Sequence, residues 1–215
     1  MKPVTLTTER LVLRPFEPSD APAVHAACQD PDIPRWTAVP SPYGLRDAEQ
    51  FVGTAVPEGW RDDTAYNFAV VSRADGALIG SMGLVRLTQL RTPERQAELG
   101  YWTAKEHRGR GYTVEAARAV LRWAFRELGV ERMEWLAEAG NEGSRAVARA
   151  LGFQMEGTLR AKLVHEGTRR DVWIGSLLPY DLAGDTDTAD GADAAGTDET
   201  GRPTADRTPY LPYPR

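Results

Sequence analysis

The chain has 215 residues, 41% hydrophobic and 27% charged, with a formal net charge of −5, the balance of a globular protein with a proper core. The negative balance argues against a nucleic-acid partner. No apolar run reaches signal-peptide or bilayer-spanning length, so a cytoplasmic protein with no membrane partner is expected.

The run Thr7–Phe16 alternates as a strand until Pro15 stops it. Ser19-Asp20 caps a helix reaching about Cys28, with Pro22 in its first turn. Cys28 is the one cysteine, which excludes an intramolecular disulfide; among alanines it reads as a packed side chain. From Asp30 to Gly44 the prolines at 31, 34, 40 and 42 predict irregular structure. Trp36 and Tyr43 in that stretch either cover the core or line a substrate pocket. Arg46-Asp47 opens a helix expected to end near Pro57.

Asn67–Val71 and Leu78–Val85 read as a hairpin turning at Asp75-Gly76, and Gly80 and Gly83 predict a bulge or a close backbone approach. Ala97–Thr103 is the next strand. Val114, Ala117, Leu121, Ala124, Phe125 and Leu128 then recur at helical spacing and predict an amphipathic helix. Arg132–Glu138 alternates as a strand. A helix follows with Asn141 as its N-cap and Ser144 at N3, ending at Gly152-Phe153. Phe153–Val164 and Arg170–Leu178 form a last hairpin around Glu166-Gly167. A domain over residues 1–183 is expected. Residues 184–215, rich in Asp, Thr, Ala, Gly and Pro, form an acidic tail expected to be disordered.

The stretch His107-Arg108-Gly109-Arg110-Gly111-Tyr112-Thr113 joins the Ala97–Thr103 strand to the amphipathic helix. Glycines let a backbone turn sharply, and a helix N-terminus offers unpaired N–H groups at the positive end of its dipole. With Arg108 and Arg110 adding charge, the chemistry that fits is a pyrophosphate. A P-loop lysine and the third glycine of a dinucleotide fingerprint are both missing. The histidines His25, His107 and His165 have no ligand-like spacing, so no metal is expected.

The loop resembles the acetyl-CoA loop of the GNAT N-acetyltransferases, Gln/Arg-x-x-Gly-x-Gly/Ala, with Arg108, Gly111 and Thr113 at its marked places; Thr113 departs from the usual small residue, and its branched side chain is expected to crowd the pyrophosphate. Thr8-Glu9-Arg10-Leu11-x-Leu13-Arg14, Glu98-Leu99-Gly100-Tyr101-Trp102, Asn141-x-x-Ser144, Leu151-Gly152-Phe153, Glu156-Gly157-x-Leu159-Arg160 and Asp171 are similar to successive marks of the RimJ/RimL-type branch. The resemblance covers roughly residues 7–180. It implies an α+β GNAT fold with a mixed, mostly antiparallel sheet flanked by helices, and acetyl-CoA as cosubstrate.

The implied reaction is direct attack of a primary amine on the thioester in a ternary complex. An amine of pKa about 8 to 10 needs a base at neutral pH. Glu98 is the candidate base, on a strand that opens toward the thioester in this fold; an exposed rim glutamate is the other reading. The resemblance implies that Asn141 hydrogen-bonds the pantetheine arm. It also implies that Ser144 protonates the leaving thiolate, since no tyrosine lies in that helix. Trp102 and Thr103 are expected to offer main-chain groups to the pantetheine, and Arg108, Gly109, Arg110, Gly111, Tyr112 and Thr113 to hold the phosphates. Trp36, Tyr43 and Tyr101 are the substrate-side candidates. Asp30, Asp32, Asp47 and Glu49 suggest attraction for a cationic acceptor. Ribosomal-protein acetylases carry an acid after the Glu-Gly pair; Thr158–Val164 has none.

The acceptor is left open between a protein N-terminal amine and a small-molecule amine. The rival expectation is a non-catalytic acyl-CoA sensor or an interaction module. Sheet edges around the last hairpin are compatible with a homodimer.

Overall fold

The chain opens with a hairpin where the sequence pattern predicts one strand. In the computed structural model, which describes residues 1–165 and 167–182, β1 (Leu6–Thr7) pairs antiparallel with β2 (Leu11–Arg14), Leu6 opposite Leu13. Thr8 stops the strand: its hydroxyl accepts the Leu11 N–H and its own N–H bonds the Leu11 carbonyl, a local side-chain bond that competes with strand pairing. Helix α1 (Ala21–Ala27) follows.

Two helical segments differ from expectation, both because of where their prolines fall. The proline-rich stretch contains α2 (Asp32–Trp36), with Pro31 as N-cap and Pro34 inside the first turn. There the backbone N–H has no intrahelical partner to lose. Helix α3 (Leu45–Gln50) runs through a π-turn, Phe51–Ala55, into α4 (Val56–Arg61), past the expected stop at Pro57. The Val56 N–H reaches back five residues to the Phe51 carbonyl, and Pro57 falls at the start of the new ladder, where its missing donor costs little.

The rest of the order is β3 (Tyr66–Ser72), β4 (Leu78–Val85), β5 (Gln96–Thr103), α5 (Tyr112–Arg126), β6 (Arg132–Glu138), α6 (Glu142–Leu151), β7 (Gln154–His165) and β8 (Thr168–Leu177). The strands form one sheet in the order β1-β2-β3-β4-β5-β6-β8-β7. Every pairing is antiparallel except β5 with β6. This is the expected mixed, mostly antiparallel α+β architecture. Helix α5 buries Ala116, Ala117, Val120, Leu121, Trp123 and Ala124. Its Trp123 meets Phe68 edge-on at 5.5 Å, and Trp60 stacks on Tyr66 at 4.7 Å. Each such ring contributes roughly 1.5–3 kcal/mol by burial and fixes α4 and α5 against β3. Among the described residues no helix is long and apolar enough to cross a membrane. The tail called from residue 184, and Glu166 in the last turn, lie outside the described residues.

Candidate active site

The parallel pairing between β5 and β6 lasts for three residue pairs, Gln96–Arg132, Ala97–Met133 and Glu98–Glu134. Both strands then continue, β5 to Thr103 and β6 to Glu138, without pairing, so the sheet splays from Glu98 onward. The Ala104 N–H bonds the Ile79 carbonyl on β4. Because main-chain groups alternate sides along a strand, Gly100 and Trp102 turn theirs to β4, while Leu99, Tyr101 and Thr103 turn theirs into the splay. The Trp102 carbonyl lies so close to Gly80 that a Cβ there would sit 2.2 Å from it. That close approach explains the glycine.

The basic loop sits at the open end of β5. Gly109 and Gly111 have φ of 72° and 78°, the left-handed region that L side chains avoid, and Gly111 is the N-cap of α5. Thr113 bonds the Thr103 hydroxyl at 2.8 Å, so its side chain ties the helix start to the strand end. Arg108 donates to the Thr103 carbonyl at 3.0 Å and pairs with Asp30 at 2.6 Å and Asp32 at 3.2 Å. Two of the four acids expected to attract a cationic acceptor are therefore paired within the protein. A third, Asp47, accepts the Gly44 N–H at 2.7 Å.

Side chains also alternate along β5. Tyr101 and Thr103 face α6 and α5, and Glu98 projects from the opposite face. Its carboxylate is 15% exposed and 3.0 Å from Arg86 Nε. Burial raises the Glu98 carboxyl above its usual range, against the pull of Arg86, with Glu134 raising it further. A carboxylate so placed holds a proton more readily than one in water.

Ser144 joins the two arms of the splay. Its Oγ accepts from Trp135 Nε1 on β6 at 2.9 Å and lies 2.9 Å from the Tyr101 hydroxyl on β5. Tyr101 also reaches the Ser144 carbonyl at 3.2 Å. Burial raises the Tyr101 phenol, so it stays protonated. Asn141 caps α6, its Oδ1 accepting the Ser144 N–H at 3.0 Å, the local arrangement that Asn at N-cap and Ser at N3 predict. Trp135 is the partner that sequence reasoning missed; it is 1% exposed, and only the fold brings its indole N–H to Ser144.

The substrate-side aromatics separate. The Trp36 ring lies under the Arg35 guanidinium at 4.0 Å and 4.0 Å from where a Gly140 Cβ would stand, beside the start of α6. Tyr43 packs on the core near Cys28 and Asp47, where burial and those neighbours push its phenol up to about 12. Nearby, Glu138 at the end of β6 is 7% exposed and takes a bidentate pair from Arg35 at 2.8 and 2.9 Å. His165 Nδ1 and Arg170 Nε approach Glu138 to 3.6 and 4.0 Å.

Residues 10–154 match the family model described as "Acetyltransferase (GNAT) domain". The chain is 40% identical over 111 residues to YdaF of Bacillus subtilis (strain 168), provisionally named a ribosomal N-acetyltransferase; the match covers 52% of this chain and 59% of that protein. It is 30% identical over 184 residues to the uncharacterized N-acetyltransferase p20 of Bacillus licheniformis, covering 84% of this chain and 99% of the relative. The solved structure of Mycobacterium smegmatis RimJ, in complex with CoA-disulfide, shares the fold with a TM-score of 0.73 at 22% identity, over 85% of this chain and 92% of that one. With a splayed β5–β6 seam, a two-glycine loop at the start of α5 and a family model spanning most of the folded residues, the chain belongs to the GNAT acetyltransferase family and is an N-acetyltransferase.

Proposed function

We propose that this chain transfers the acetyl group of acetyl-CoA to a primary amine, of a protein N-terminus or a small molecule, by direct attack in a ternary complex. The observation that carries the reading is the Ser144 hydroxyl, held between Tyr101 on one arm of the splay and Trp135 on the other. An indole N–H can only donate, so Trp135 fills one Ser144 lone pair. When Tyr101 turns its one proton from the Ser144 carbonyl to the second lone pair, the Ser144 proton is left to point outward. The amine nitrogen attacks the thioester carbon, the C–S bond breaks, and the departing thiolate takes the Ser144 proton as Ser144 takes that of the Tyr101 phenol, which solvent restores when CoA leaves. The N-terminus of α6 adds its dipole to stabilise that negative charge.

Glu98 takes the proton released by the attacking amine, through a water, from the opposite face of the sheet. Its raised carboxyl suits a group that must accept a proton and later release it. The pantetheine arm lies along the open edge of β5, where Tyr101 and Thr103, rather than Trp102, present main-chain groups. The Asn141 amide N–H groups extend that edge, and a β5 main-chain N–H stabilises the oxyanion. Gly109, Gly111, Tyr112 and Thr113 hold the pyrophosphate with Arg110, while Arg108, already paired with Asp30 and Asp32, fixes the loop.

Thiol release from acetyl-CoA across protein N-terminal peptides, polyamines, aminoglycosides and free amino acids tests the reading. Release with one amine class, lost in Ser144→Ala and Glu98→Gln, supports it. Acetyl-CoA binding without release on any amine would turn the protein into a sensor.

A further inference from the structure

The turn between β1 and β2 reaches across to the loop that opens α5. Glu115, in the first turn of α5, accepts from the Thr8 hydroxyl at 2.6 Å, from the Arg10 main-chain N–H at 2.9 Å and from Arg10 Nε at 2.6 Å. Arg10 Nη1 then donates to the Arg110 carbonyl at 3.1 Å, and the guanidinium lies 4.6 Å from the centre of the Tyr112 ring. A Cβ on Gly111 would stand 3.6 Å from Arg10 Nη2. From behind, Arg73 holds the turn by donating to the Thr8 and Glu9 carbonyls at 3.0 and 2.8 Å.

We propose that Arg10 is a positioning residue for the pyrophosphate of acetyl-CoA, acting through the Arg110–Gly111 peptide; this rests on the acetyl-CoA reading of the loop given above. A trans peptide points its C=O and its N–H in opposite directions. Arg10 holds the Arg110 carbonyl outward, so the Gly111 N–H faces the other way, into the cradle. Without that anchor, two glycines in the left-handed region leave the peptide free to rotate, and a carbonyl turned inward repels a phosphate oxygen. Glu115 and Arg73 fix Arg10 and its turn in advance, so little ordering is left to be done when the ligand arrives. Arg10 itself touches no reacting atom.

The test is calorimetric binding of two ligands to the full chain, CoA and pantetheine, the second lacking pyrophosphate and nucleotide. In Arg10→Ala the dissociation constant for CoA is expected to rise about tenfold while that for pantetheine stays within twofold of wild type. Arg10→Lys keeps a cation that cannot hold Glu115, the Arg110 carbonyl and the Tyr112 ring together, and should show the same split if the alanine variant fails to fold. Equal weakening of both ligands, or of neither, overturns the proposal. Failure of the wild-type chain to bind CoA is a different result and overturns the acetyl-CoA reading itself.

Discussion

Replacing Trp135 by Phe removes the one group that holds Ser144 from the β6 side. The ring stays apolar, but the donor to Ser144 Oγ at 2.9 Å is gone. A hydrogen bond of this kind has a net worth of about 0.5–1.5 kcal/mol, which corresponds to a fall in kcat of between about twofold and tenfold. KM for acetyl-CoA should stay within about twofold, because Trp135 is buried and outside the cradle. The smaller ring also leaves a void at a fully packed position; at about 1–3 kcal/mol, melting falls by several degrees, so rates are compared where both proteins are fully folded. The decisive measurement is the double-mutant cycle with Ser144→Ala. Once the hydroxyl is absent its donor has nothing to act on, and Trp135→Phe should change kcat no further. If the two losses multiply independently, the indole acts through general packing and the polarised-serine mechanism is wrong.

Glu98→Gln should lower kcat/KM by about 10²–10⁴. It should also raise the melting temperature at neutral pH: the Glu98 carboxyl is raised by burial, so its folded state binds more protons than the unfolded one, and stability is lost as pH climbs from about 4.3 through the folded value. Melting curves taken across pH should converge with wild type below that window, and a lower melting point for the variant at pH 7 would count against the assignment. Arg35→Ala leaves Glu138 without its bidentate partner; with Arg35 itself 41% exposed, urea unfolding should show a loss of about 2–3 kcal/mol. The Glu138 carboxyl is held low by Arg35, so that stability is present above about pH 4.3 and disappears as pH falls through its folded value; an Arg35→Ala difference unchanged in acid contradicts this. Gly111→Ala forces an L side chain to φ of 78°, costing about 1–2 kcal/mol, and should weaken CoA binding in calorimetry, while an unaltered affinity would mean that the loop does not hold the phosphates.

The parts of the site built from neighbours in sequence were readable before the fold. Asn141 and Ser144 carry their capping bond within one helical turn, and the glycines at 109 and 111 announce a backbone that L side chains avoid. What escaped depends on tertiary approach. Trp135 and Ser144 look like a core residue and a capping residue until the sheet puts β6 under α6. Glu115 reads as a dipole-stabilised carboxylate; that its partners are Thr8 and Arg10 follows only from Thr8 breaking the first strand into a hairpin. Asp30 and Asp32 look like free acids in a loop because Arg108, more than seventy residues on, is invisible to local pattern. The continuation of α4 past Pro57 turns on a single widened turn, which composition does not reveal.

The open edge of β5 has a consequence for how such a protein can change over generations. Leu99, Tyr101 and Thr103 present their peptide groups to the splay, and every residue type except proline carries the same pair of groups. On the proposed reading, donor recognition along that edge would be indifferent to side-chain identity. In the proposed reaction, substitutions on the acceptor side, with Trp36 a candidate there, would therefore alter which amine is accepted while the same thioester is read by unaltered main chain. A lineage built on that division would drift from one acceptor to another without passing through a form that has lost its acyl donor.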